Sequence, residues 1–165
     1  KPTRFSDGSY GIYYAGLSKE TAIRETVYHR ERFLSATDES PCELTMRLYE
    51  GEIKKPLHDM RSDTYDELYV ASDYMRSQEF GRGLRNQHSW GLIYKSVRHH
   101  DGTCVAAFRP PAISIPGQIS HLKYIWSGQQ ITEVLDTQTI LKFNQPGQEF
   151  CFCIHSKKGK VLITI

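Results

Sequence analysis

The order in which hydrophobic periods occur along the chain constrains its fold most. Helical patterning is confined to the first half, and alternation of period two dominates the second. After a turn at Ser6-Asp7-Gly8-Ser9, residues 10–15 read as a strand. Ser18 then offers an N-cap, with Glu20 in the first turn, for a helix to about residue 34. On its wheel Ile23, Val27 and Leu34 form an apolar stripe next to Ala22, Glu25, Thr26, His29 and Phe33. Glu25 and His29, four apart, are therefore neighbours beside the buried face. Leu44, Met46 and Leu48 alternate with Thr45, Arg47 and Tyr49 as in a half-buried strand. A second helix is predicted over 65–80, capped by Ser62 or Asp63 and ended by Gly81 and Gly83. Strands follow at 91–97, 103–108, 119–126 and 131–135, and 149–155 with 159–165 read as a terminal hairpin around Ser156-Lys157-Lys158. Strands and helices do not alternate regularly, which excludes a doubly wound parallel sheet. The pattern predicts an α+β fold with a mixed or antiparallel sheet and flanking helices. The two loop-like stretches, 37–42 and 52–56, are too short to link domains, so 1–165 reads as one domain.

Composition narrows the function classes. The chain is 39% hydrophobic and 24% charged, and 165 residues suffice for an unaided core. A net charge of +2 does not announce a nucleic-acid binder. No apolar run approaches the roughly 20 residues of a membrane helix. Cys42, Cys104, Cys151 and Cys153 are too scattered for a disulfide framework, and Cys151-Phe152-Cys153 lacks zinc-ligand spacing. Reduced, buried thiols and a cytoplasmic location are the expectation. The chain begins at Lys1 without an initiator Met, so an upstream segment is expected.

Most chemical motifs fail on inspection. Gly81-Arg82-Gly83 follows a helix and lacks the third glycine of a phosphate loop. Lys157, Lys158 and Lys160 read as a solvated hairpin tip. His99-His100-Asp101 gives no metal-ligand pattern, no Gly-x-Ser-x-Gly elbow occurs, and Glu25 has no identifiable carboxylate partner for glycoside hydrolysis. The stretch from Arg4 to His29 stands out. Read for structure alone, Arg4 would pair with Asp7, Tyr14 would be core and Glu25 would bridge to Arg32.

That stretch resembles the opening signature of the RES domain, named for its Arg, Glu and Ser. Arg4 and Tyr14 stand where the family has its arginine and tyrosine, and Glu25 matches the glutamate of the following helix. Ser96, in Gly91-Leu-Ile-Tyr-Lys-Ser-Val-Arg98, matches the serine. The likeness continues through Gly102-Thr-Cys-Val-Ala-Ala-Phe-Arg-Pro110 and thins after about Pro116. It implies a fold similar to diphtheria-toxin-type ADP-ribosyltransferases and a toxin that consumes NAD+. It also implies a partner antitoxin with an Xre-like helix-turn-helix domain. NAD+ would be a substrate rather than a resident cofactor, and no metal is expected.

The residue types suit that chemistry. Cleaving the nicotinamide–ribose bond passes through an oxocarbenium-like transition state and expels a neutral leaving group, so a nearby carboxylate is favoured. Glu25 is assigned that role. Arg4 would bind phosphate through its planar fork, Tyr14 would offer a face to nicotinamide, and Ser96 would hydrogen-bond the ribose or its phosphate. His29 and Arg98 are secondary candidates. Two alternatives stay open: transfer of ADP-ribose to a protein, and an RNA-binding or RNA-cleaving toxin using Lys95, Arg98, His99 and His100. Direct nucleic-acid binding is the less expected of these. An exposed strand edge would permit a homodimer.

Overall fold

A computed structural model describes residues 1–70, 73–137 and 160–164. Its strands are β1 (Tyr13–Gly16), β2 (Cys42–Glu52), β3 (His58–Asp59), β4 (Gly91–Lys95), β5 (Thr103–Ala107), β6 (Gly117–Trp126), β7 (Ile131–Thr137) and β8 (Lys160–Thr164). They form one mixed sheet in the order β3-β4-β5-β1-β8-β2-β6-β7. Only β3 and β4 run parallel; every other neighbouring pair is antiparallel. The α+β prediction with a mixed sheet therefore holds. Strand β1 meets β8 at a single register pair, Gly16 with Leu162, which is the seam between the two halves of the sheet. The first strand of the predicted terminal hairpin, 149–155, with Cys151 and Cys153, lies outside the described residues, as do Lys157 and Lys158.

Helix α1 (Lys19–Ala36) forms where predicted, and Ser18 caps it by accepting from the Thr21 N–H at 3.1 Å. Its apolar stripe, Ile23 and Val27, packs on Met46, Leu48, Leu122 and Tyr124. Gly16 makes close docking of its first turn to β1 feasible, because a Cβ there would lie 2.6 Å from the Ala22 nitrogen. The period-two alternation of β1, β4 and β5 divides a second pair of clusters between the sheet faces. Tyr14, Leu92, Tyr94, Cys104 and Ala106 join one, and Tyr13, Ala15, Ile93, Val105 and Ala107 the other.

The predicted 65–80 helix is a misreading. Asp63–Tyr69 is a 3₁₀ segment, and α2 spans Met75–Asn86. Tyr65, Leu68, Tyr69 and Phe80 all pack on the Phe5–Tyr94 cluster, so their burial fits a helical period without one continuous helix. Nor do Gly81 and Gly83 end a helix; both lie inside α2. Gly81 is there because the N-terminal segment crosses the helix, and a Cβ would sit 2.4 Å from the Phe5 carbonyl oxygen. A backbone oxygen cannot step aside as a side chain can. Gly81→Ala is expected to lower stability by about 1–3 kcal/mol, or the melting temperature by roughly 2–12 °C. At Gly83 an added Cβ meets nothing within 4 Å, so Gly83→Ala should gain up to about 1 kcal/mol from helix propensity. Thermal denaturation of the two variants should show shifts of opposite sign.

Candidate active site

Glu25 reaches its place because both termini of its surroundings are pinned. Strand β4 leads into the tight loop 96–102, closed by Ser96 N–H to the Gly102 carbonyl at 2.8 Å and Gly102 N–H to the His99 carbonyl at 2.9 Å. His99 Nδ1 is 2.9 Å from Thr21 Oγ1 in the first turn of α1, tying that loop to the helix. The Ser96 hydroxyl therefore faces Glu25 and donates to its Oε1 at 2.6 Å. The same Oγ accepts the Arg98 and His99 N–H groups at 3.1 and 3.0 Å. With one proton given and two accepted, the hydroxyl has its usual complement of bonds. Glu25 is half-buried, and among the described residues its Oε2 accepts no hydrogen bond.

Arg4 is held from the other side. The Tyr14 hydroxyl accepts the Phe5 N–H at 3.1 Å and lies 2.9 Å from Thr3 Oγ1, so it grips the residues on both sides of Arg4. Gln78 of α2 donates to the Thr3 carbonyl at 2.9 Å. Arg4 itself is 8% exposed. Its Nη1 donates to the Val70 carbonyl at 3.1 Å and toward that of Leu68 at 3.4 Å, and its guanidinium carbon sits 4.7 Å from the centre of the Tyr74 ring. No carboxylate of the described residues reaches it; Asp7, its expected partner, pairs with Arg82 and with Ser9 instead. Two carbonyls and a ring face do not neutralise a buried cation, which leaves a site suited to an anion.

These residues are electrostatically joined through Tyr94. Burial raises its hydroxyl pKa well above the usual range, Cys104, Glu25 and Tyr14 raise it further, and Arg4 opposes them. Burial likewise raises that of Tyr14, against its bonds with Thr3 and Phe5 and the Arg4 charge. Tyr14 and Cys104 belong to one cluster on the sheet face, and Ser96 and Cys104 both reach Glu25, so Tyr14, Ser96 and Glu25 adjoin that face, with Arg4 tied to Tyr14 through Thr3 and Phe5. Glu25 makes no ion pair with Arg32, contrary to its structural reading. Tyr14 does pack against the core, with its hydroxyl engaged. His29 is exposed beside Tyr28, and Arg98 stacks on the Tyr28 ring with 3.5 Å to its centre.

The basic and histidine side chains of an RNA-cleaving arrangement are otherwise occupied. Lys95 pairs with Asp63 and Asp66, Arg98 lies on Tyr28, His99 bonds Thr21, and His100 pairs with Asp101. No three His, Cys, Asp or Glu side chains among the described residues are placed to hold a metal, and no helix there is long and apolar enough to cross a membrane. A cavity of about 480 Å³ beside Ile12, Tyr13, Phe108 and Ile113 contains none of the four candidates. Sequence reasoning passed over Tyr94 and Cys104. They face each other in the β4–β5 register, and that register brings Cys104 to within 3.6 Å of Glu25 Oε1.

The fold is α+β, and it holds a nearly buried arginine that no acid among the described residues reaches and a carboxylate anchored by a hydroxyl. The RES domain family model matches residues 1–127, and the chain belongs to that family. The chain is also 28% identical over 131 residues to the uncharacterized protein y4oC of Sinorhizobium fredii (strain NBRC 101917 / NGR234), covering 78% of this chain and 54% of that protein. The chain thus spans about half the length of that relative.

Proposed function

We propose that this domain binds NAD+ and cleaves its nicotinamide–ribose bond, acting as a toxin that depletes NAD+. The observation that carries the reading is the presence of both Arg4, a buried cation that no acid among the described residues reaches, and Glu25, whose Oε1 is fixed while its Oε2 takes no bond among those residues. The pyrophosphate supplies the negative charge Arg4 lacks. Oε2 faces the ribose, accepts a hydroxyl proton in a hydrogen bond, and stabilises the positive charge that moves from the pyridinium onto the sugar as the C–N bond breaks. Nicotinamide leaves neutral with the bonding pair, so no general acid is required. Water adds to the anomeric carbon and loses a proton to solvent, giving ADP-ribose; phosphate in its place gives the 1″-phosphate. Ser96 holds Glu25 rather than the nucleotide, since its hydroxyl is already satisfied. Tyr14 acts on Arg4 through Thr3 and Phe5 while its ring lines the same face. An Xre-like antitoxin would silence the domain by covering this cleft, and the similarity to diphtheria-toxin-type transferases belongs to the same proposal.

The test is to incubate purified, partner-free protein with NAD+, with and without phosphate, and resolve products by mass. Nicotinamide release with ADP-ribose or its 1″-phosphate is expected. A folded protein that releases no nicotinamide overturns the reading. Mass added to lysate proteins with little free ADP-ribose would move the assignment to protein ADP-ribosylation.

A further inference from the structure

Cys104 is 2% exposed, and its Sγ lies 3.6 Å from Glu25 Oε1. That separation is ordinary for a thiol donor and an oxygen acceptor. Burial and the Glu25 charge both raise the thiol's pKa, far from neutrality, so it faces the carboxylate as a protonated donor and not as a nucleophile. Its position follows from the β4–β5 register, where Cys104 pairs with Tyr94 and precedes Ala106 on the same face. Ser96 donates to the same oxygen from the same end of that register, two residues past Tyr94 at the exit of β4. Both donors therefore converge on Oε1, and Oε2 is left without a bond among the described residues.

We propose that Cys104 is a second positioning residue for Glu25, holding Oε1 by an S–H···O hydrogen bond so that Oε2 is the oxygen presented to substrate. Two donors on one oxygen resist rotation of the carboxylate, which a single donor would permit. The presentation of Oε2 rests on the reading of Glu25 as the group that faces the ribose; the thiol–carboxylate bond itself does not.

The experiment compares Cys104→Ala and Cys104→Ser with the parent by nicotinamide release, melting temperature and infrared spectroscopy of the S–H stretch. Cys104→Ala should lower kcat about threefold to tenfold, the worth of one hydrogen bond from a weak thiol donor, with KM within about twofold. Cys104→Ser, which restores a donor, should return kcat to within about twofold of the parent. The S–H band lost in Cys104→Ala should move to higher frequency in Glu25→Ala, where the acceptor is gone. A band that ignores Glu25→Ala, or equal loss of kcat in the alanine and serine variants, overturns the proposal. A chain that releases no nicotinamide but whose S–H band still responds to Glu25→Ala would sink the NAD+ reading and leave the thiol–carboxylate bond established.

Discussion

Glu25→Gln is expected to lower kcat for nicotinamide release by about 10²–10³-fold, with KM changed no more than about twofold. Glutamine keeps the length of the side chain and an oxygen that the Ser96 hydroxyl can reach, so the 2.6 Å bond has a successor. What disappears is the negative charge. In the ground state the nicotinamide ring carries the positive charge, and in the transition state that charge has moved onto the ribose. Only the second arrangement gains from a nearby anion, so the loss falls on kcat. Stability should change little, because half-buried Glu25 has no cationic partner among the described residues whose charge would be stranded. The check is steady-state kinetics beside a thermal melt. A rise in KM at constant kcat would mean that Glu25 only binds substrate, and the proposed mechanism would fail.

How much of this was legible beforehand depended on how local the cause was. The Ser18 cap and the Ile23, Val27 and Leu34 stripe are local signals, and α1 formed on them. Alternation fixed β2, β4, β5 and β6 to within a few residues, and the helical wheel placed Glu25 beside a buried face. The second helix failed because Tyr65, Leu68, Tyr69 and Phe80 are buried by one distant cluster, and burial alone mimics a helical period. Gly81 was misread for a related reason: its neighbour is Phe5, remote in sequence, and no local rule announces a crossing segment. At the site, residue types suggested the chemistry, but the bonds that hold Arg4 and Glu25 are tertiary. Ser96 reaches Glu25 across 71 positions and Cys104 across 79, which periodicity does not report.

Arg4 yields a prediction in which affinity and stability move independently. The guanidinium is nearly buried, bonded to carbonyls 64 and 66 positions away, and has no acid among the described residues. Burying a cation without a counter-ion costs stability, and an apolar side chain of similar length removes that cost while surrendering the carbonyl bonds. Arg4→Met should therefore melt within a few degrees of the parent or above it. Its affinity for NAD+ should nonetheless fall about 10²-fold, roughly the worth of a charge-assisted, two-pronged contact with phosphate. Measured in the Glu25→Gln background, where NAD+ persists, ligand should raise the melting temperature of the single variant and scarcely that of Arg4→Met/Glu25→Gln. Arg4→Lys discriminates further. It retains the charge but loses the planar fork, so it should recover only part of the binding. If Arg4→Met instead unfolded the domain and Arg4→Lys bound NAD+ fully, the arginine would be a structural cation, and the pyrophosphate would have to be held elsewhere.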